Sequence, residues 1–298
     1  YEDIEVYLQH GRSGERTINV DIDEQALDEV LKKYQVGITV QQALDADEGQ
    51  IINECLVLKE EHYKTKAFSW RKEFKSVLAL KLRHVTKSMF YFAKTLQTAI
   101  MPEAIAVMDS GFYGAGLENC FFPKLVRISI SAFTQSQLKT LNSENFPALQ
   151  KTSMDGFRYC PITKINLPNL RSIGSRGFSC CQKLMEFYAP QLQEIGQGCF
   201  FQCQLLSSIG CPLPPDVFKC WGCSECPICE KKLLDCLNKG HIQLLFEQLD
   251  KVRKVQAKIM GGLSSLHQHK VRELQIINQL DGLAAQNNVQ NALELGGK

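Results

Sequence analysis

The chain has 298 residues, 44% hydrophobic and 22% charged, with a formal net charge of +2. That is the balance of a globular chain, long enough for one large domain or two to three ordinary ones. No run of 18 apolar residues occurs, which excludes a membrane-spanning helix, and so small a net charge carries no message about partners by itself. Thirteen cysteines are present, about 4% of the chain and below the density of a disulfide-stapled secreted scaffold. No Asn-x-Ser/Thr sequon occurs. The cysteines therefore read as small buried apolar residues of a reduced, cytoplasmic protein; the alternative is a cell-surface protein with paired cysteines. The chain begins at Tyr1, which leaves room for a trimmed leader.

Residues 1–57 read as an N-terminal cap. Ile18-Asn19-Val20-Asp21-Ile22 alternates like a strand. Asp23 to Tyr34 follows as one amphipathic helix, with Leu27, Val30 and Leu31 on one side. Ile51, Ile52 and Cys55 read as the remnant of a degenerate coil.

Residues 58–225 carry a repeat of about 22 residues. In the middle of the chain, Leu167-Pro168-Asn169-Leu170 precedes Ile173-Gly174, Phe178 and Cys181, and Ala189-Pro190-Gln191-Leu192 precedes Ile195-Gly196, Phe200 and Cys203. Counted from the proline, positions +2 and +5 are apolar, +10 is Phe and +13 is Cys. Pro147, Pro123 and Pro102 start further copies, and Leu80 and Leu58 continue the register without proline. A phenylalanine stands at +10 in all seven: Phe68, Phe90, Phe112, Phe133, Phe157, Phe178 and Phe200. A unit this short cannot bury its own apolar side, so neighbouring units must stack, with equivalent side chains in ladders. Each coil is expected to hold two short extended segments joined by turns, Gly174, Gly177 and Gly196 supplying turns that would strain other residues. Pro168 and Pro190 end extended segments where no ladder hydrogen bond is needed. The fold class expected is an α+β repeat protein, a solenoid of about seven to eight coils.

The unit Leu-Pro-x-Leu-x-x-Ile-Gly-x-x-x-Phe-x-x-Cys resembles the BspA-type leucine-rich repeats, over roughly residues 58–225 and most specifically over 167–210. The resemblance implies a curved solenoid used in adhesion and protein–protein recognition. The N-terminal copies depart from it, lacking Pro, Ile-Gly and Cys.

Two features stand outside the repeat consensus. Between His62 and Lys94 lie nine basic residues and one acid, Glu73. Lys64, Lys66, Arg71, Lys72, Lys81, Arg83 and Lys87 make this a candidate partner-binding patch that would attract acidic protein tails, anionic lipid or nucleic acid, the acidic protein being preferred, against the alternative of a solvated face balanced by acids of the cap. Cys220, Cys223, Cys226 and Cys229 recur every three residues, a spacing at which turns can aim thiolates at one zinc ion or hold an iron–sulfur cluster; the alternative is a further degenerate coil through Pro212, Val217 and Phe218, with Cys223 or Cys226 near the cysteine-ladder position. Cys226-Pro227-Ile228-Cys229 looks like the opening of a RING finger, but no cysteine follows Cys236, so the later ligand pairs are absent.

From residue 226 to 298 the pattern becomes helical. Ile242, Leu245, Leu249, Val252, Ile259, Leu263 and Leu266 follow a 3–4 spacing broken by Gln256, and Leu274, Ile277 and Leu280 resume it. This predicts a long helix or helical hairpin over about 240–284, either a coiled coil that makes a homo-oligomer or docks a helix, or a cap on the last coil. Catalysis has little support: the histidines (10, 62, 84, 241, 267 and 269) are scattered, and no Gly-Lys-Ser/Thr or Gly-x-Gly-x-x-Gly phosphate motif occurs. The reading is thus a non-enzymatic protein-interaction scaffold with no cofactor, unless the cysteine cluster holds zinc, and no leaning to nucleic acid. The alternatives are an adhesin of the same fold, or a zinc-dependent, ubiquitin-ligase-like module at 220–241.

Overall fold

The computed structural model describes residues 23–242 and Lys254. The chain divides into two units, residues 1–241 and 242–298. The first is a β-solenoid of about seven turns, and the helical seam expected from Ile242 onward lies outside the described residues apart from Ile242 itself.

Each coil lays down one strand, turns a corner, adds a two-residue strand, and returns through an arc of turns. The corner strands make one long parallel sheet: β4 (His84–Val85), β6 (Ala106–Val107), β8 (Arg127–Ile128), β10 (Lys151–Thr152), β12 (Ser172–Ile173) and β14 (Glu194–Ile195). The other side carries two sheets. The first runs from an antiparallel hairpin, β1 (Ile51–Ile52) and β2 (Cys55–Leu58), to β3 (Ser76–Ala79), β5 (Thr98–Ile100) and β7 (Asn119–Phe121). The second holds β9 (Thr140–Leu141), β11 (Lys164–Asn166), β13 (Glu186–Tyr188) and β15 (Ser208–Gly210). Partners sit one repeat apart, as in Thr152 beside Ile173 and Ile165 beside Phe187. The hairpin stands where the sequence suggested a degenerate coil.

The break between β7 and β9 falls in the longest repeat. Its extra residues form a turn in which the Asn142 side chain accepts from the amides of Glu144 and Asn145, at 3.0 and 3.2 Å. The turn delivers Phe146 to the core, where it stacks on Phe122 with ring centroids 5.9 Å apart.

The +10 phenylalanines form one stack through the solenoid. Phe68, Phe90, Phe112, Phe133, Phe157, Phe178 and Phe200 continue to an eighth ring, Phe218, with centroids 5.1 to 6.5 Å apart and planes within 16°. The +13 cysteines have a polar role as well as a small volume. The thiols of Cys160, Cys181 and Cys203 donate to the carbonyl oxygens of Phe133, Phe157 and Phe178 in the preceding coil, at 3.1 to 3.2 Å.

The glycines do not serve as expected. Two positions per coil adopt left-handed φ, and few are glycine: Lys66, Ser88, Ser110, Ser131, Asp155, Arg176 and Gly198 at +8, and Trp70, Phe92, Gly114, Gln135, Tyr159, Cys180 and Gln202 at +12. Gly174 and Gly196 are needed for close approach instead. A Cβ on Gly196 would lie 2.2 Å from the amide nitrogen of Ser175 in the neighbouring coil, and one on Gly174 would lie 2.5 Å from that of Met154. For Gly177 the obstruction is the Ile173 side chain, 2.5 Å away.

At the N-terminal end, α1 (Glu24–Lys33) is capped by Asp23, which accepts from the Ala26 amide at 3.0 Å. A second helix, α2 (Val40–Asp45), opens with a capping box between Thr39 and Gln42, where the sequence pattern predicts only one helix in the cap. Leu27, Leu31, Val40 and Ala43 from these helices pack on Cys55, Val57, Leu78, Leu80 and Ile100. The alternate residues Leu56, Leu58, Val77, Ala79 and Ala99 face the solenoid core. The first sheet is therefore apolar on both faces.

At the other end a helix (α3) begins at residue 233, earlier than the 240 expected. Cys236 and Leu237 are buried in the solenoid core. Gly240 lies so close to β15 that a Cβ would stand 2.1 Å from the Ile209 carbonyl carbon, and His241 Nε2 meets the Cys211 carbonyl at 2.8 Å. The described part of α3 thus caps the last coil.

Candidate metal centre and aromatic–basic surface

After Phe218 the chain leaves the repeat path and winds tightly. Gly222 (φ +85°) and Ser224 (φ +64°) flank Cys223 in left-handed conformation, so the backbone curls around its own side chains. The result brings Cys220, Cys223, Cys226 and Cys229 together with all four sulfurs within 4.8 Å of one another. The Sγ atoms of Cys220 and Cys223 are 3.6 Å apart, and those of Cys223 and Cys229 4.0 Å. A zinc–sulfur bond of about 2.3 Å implies a sulfur tetrahedron with edges of about 3.8 Å. Cys226 is buried and the other three are half-buried.

The thiols are not equivalent. Burial pushes Cys223 up, but hydrogen bonds from the amides of Gln202 and Glu225, and from the neighbouring thiols, outweigh it and bring it down to about 6. Burial raises Cys220 and Cys226 above the ordinary thiol range. Cys236 and His241, the next cysteine and histidine along the chain, are engaged elsewhere: Cys236 Sγ lies 3.5 Å from the Leu206 carbonyl, and His241 holds that of Cys211. Among the described residues the donor set is four sulfurs.

The basic residues of the first coils fall into groups set by their place in the repeat. Lys81 and Arg83 lie at the corner between β3 and β4. Lys64, Lys66 and Lys87 share the arc, where the Lys66 amide donates to the Lys87 carbonyl at 3.1 Å. Arg71 and Lys72 end the same arc, Arg71 bonding Glu73 at 2.8 Å. All seven are exposed, and Lys75 pairs with Glu54.

The arc also carries aromatic rings that the basic pattern does not reveal. Trp70, 60% exposed, stacks on Phe92 at 4.6 Å, and Tyr91 stacks on Tyr113 at 5.3 Å. Lys94 Nζ stands over the Phe92 ring at 4.7 Å. Gly114 makes room for the stack, since a Cβ there would meet the Phe92 ring at 3.1 Å. The signal was legible: Trp70 and Phe92 sit at +12, two residues beyond the core phenylalanine, and Tyr91 and Tyr113 at +11.

Residues 106–219 match the BspA type Leucine rich repeat region in six copies. The chain carries a BspA-type leucine-rich-repeat region. A solved leucine rich cell surface protein from Faecalibacterium prausnitzii A2-165 is also similar, at 16% identity with a TM-score of 0.23, over 53% of this chain and 63% of its own length. No curated protein matches. The four cysteines begin one residue beyond the BspA-type region, and the basic arc precedes it. Both candidate sites therefore belong to sequence that the repeat consensus does not dictate.

Proposed function

We propose that this protein is a non-enzymatic interaction scaffold that binds an acidic segment of a partner protein on the arc of its first coils. One observation carries the reading: a half-open aromatic stack, Trp70 on Phe92 and Tyr91 on Tyr113, with Lys94 over the Phe92 ring and the exposed Lys64, Lys66, Lys72 and Lys87 on the same arc of turns. Exposed aromatic anchors supply most of the energy at protein interfaces, and a ring of like charge speeds encounter with an oppositely charged partner. The BspA-type repeat supplies a rigid frame, because each coil is fixed by its neighbours. The apolar seam from Ile242 onward supports a second element of the reading, in which the C-terminal segment oligomerises the chain or docks a helix.

A photo-crosslinking residue at position 91 tests this, with position 185, exposed on a distant coil, as the reference. Partners trapped from native extract only at 91 are then purified, and their affinity is measured directly. Trp70→Ala should weaken binding at least tenfold, and Lys66→Glu with Lys72→Glu should slow association and flatten its salt dependence. Equal crosslinking from both positions, or unchanged affinity in Trp70→Ala, would sink the proposal. Sedimentation of the whole chain against one ending at Ile242 tests whether that segment oligomerises the chain; the same number of copies per particle for both would remove oligomerisation and leave helix docking alone.

A further inference from the structure

The cysteine cluster does more in the structure than bring four sulfurs together. Along the solenoid, the amide at +12 in each coil donates to a carbonyl of the next coil. Trp70 donates to Tyr91, Phe92 to Tyr113, Gly114 to Thr134, Gln135 to Arg158, Tyr159 to Ser179 and Cys180 to Phe201, at 2.7 to 3.0 Å. The last member of this ladder is Gln202, and among the described residues no further coil offers it a carbonyl. Its amide donates instead to the sulfur of Cys223, at 3.3 Å. A thiolate is the natural acceptor there, because a metal-bound sulfur carries negative charge and an N–H aimed at it is a common outer-shell contact.

The segment around the cluster also seals the end of the stack. The Gly198 amide donates to the Lys219 carbonyl at 2.8 Å. The Trp221 ring lies directly over Gly198, where a Cβ would meet it at 2.2 Å, and packs beside Phe201 at 6.3 Å. Open ends of repeat arrays expose their apolar ladders and unpaired backbone, and need such a cover. Yet residues 219–232 contain one 3-residue repeat of cysteines and almost no regular secondary structure, so little in the backbone itself fixes this cover in place.

We infer that Cys220, Cys223, Cys226 and Cys229 bind a single zinc ion that staples the C-terminal cover onto the last coil. The donor chemistry narrows the ion. Four soft sulfurs and no oxygen exclude calcium and magnesium, hard ions that take oxygen ligands. An iron–sulfur cluster would hold its cysteines apart by the width of several metal and sulfide atoms, whereas these sulfurs all lie within 4.8 Å of one another, the span around one ion. With four protein ligands the coordination shell is closed, leaving no position for water or substrate, so the site is structural rather than catalytic. Binding replaces thiol protons, which pass to solvent, and involves no oxidation.

The test uses the full chain purified without chelator. Elemental analysis should find one zinc per chain, and a thiol-specific mercurial should release it completely. Replacing zinc by cobalt should give the intense visible bands of a tetrahedral thiolate site. A chelator should open residues 219–232 to protease while the far-ultraviolet signature of the coils persists. Cys223→Ser with Cys226→Ser should bind less than a tenth of the zinc, whereas Cys180→Ser, whose thiol lies outside the cluster, should keep it. No stoichiometric metal in the wild-type chain would overturn the inference. So would iron or copper in place of zinc, or zinc retained in full by the double variant. These readouts are independent of partner binding, so the staple and the scaffold reading can fail separately.

Discussion

Gly196 and Gly222 show why a glycine's position matters more than its presence. Gly196 has an ordinary φ, but a Cβ would strike the backbone of Ser175 and Gly174 at 2.2 and 2.4 Å, and backbone cannot move aside as a side chain can. Gly222 has φ +85° with open space around it. Gly196→Ala should therefore cost about 2–3 kcal/mol through forced separation of two coils, and Gly222→Ala only about 1–2 kcal/mol of backbone strain. Urea denaturation of the two variants would show the reverse order if the coils were not in close contact there. The buried thiols add a pH dependence. Burial pushes Cys160 and Cys199 up to about 12 from an ordinary value of 9.0. Folded-state values raised above unfolded ones mean that stability is fully present below pH 9. Above it, the unfolded chain ionises while the folded one does not, and stability is lost as pH rises toward 12. The slope is up to about 1.4 kcal/mol per pH unit for each such thiol. Denaturation midpoints should be flat from pH 7 to 8.5 and fall steeply by 10.5; a flat profile throughout would contradict the burial.

Among the elements, the phenylalanine stack and the covered sheet were legible to different degrees. The +10 phenylalanines were readable because a ladder demands the same bulky side chain at the same place in every coil. Phe157, fully buried between Phe133 and Phe178, has no room to be replaced by collapse of its neighbours, and Phe157→Ala should cost about 3–5 kcal/mol. Thermal unfolding would register that loss directly. The helices on the first sheet were only half legible. Cys55-Leu56-Val57-Leu58 and Val77-Leu78-Ala79-Leu80 are continuous apolar runs, the mark of strands buried on both faces, while the later Lys164-Ile165-Asn166 alternates. The runs imply a cover without saying which segment supplies it. Six-residue α2 is too short to show a helical period, and only its Thr39–Gln42 capping box marks it. Leu31, buried against this sheet, tests the cover. Leu31→Asp should place an unpaired carboxylate on the apolar strands, lower the melting temperature by several degrees and raise light scattering. A variant that melts like wild type would show that α1 is not needed there.

At the scale of the whole molecule, the two candidate sites were legible for different reasons. Cysteine spacing at 220–229 announces convergence because turns of that length leave few places for the sulfurs to go. The basic run was readable as charge, but the corner position of Lys81 and Arg83 depends on where each coil bends, which alternation of apolar residues does not encode. The same geometry makes stability uneven along the solenoid. In a repeat array each coil is held by its own packing and by its two neighbours. Strands β2, β3 and β5 add the helical cover to that sum, whereas the outward positions of β9, β11 and β13 include Thr140, Lys164 and Glu186. The Lys164–Glu186 pair, 2.7 Å apart but 47% and 38% exposed, adds less than about 1 kcal/mol, too little to replace an apolar cover. Local opening should therefore begin in the C-terminal coils. In native-state hydrogen exchange the amides of Leu78 and Ile100 should be the slowest. Those of Ile165 and Phe187 should exchange through a lower-energy opening with smaller denaturant dependence. Identical protection in both groups would mean that the continuous phenylalanine stack couples all coils into one cooperative unit and overrides the difference in cover.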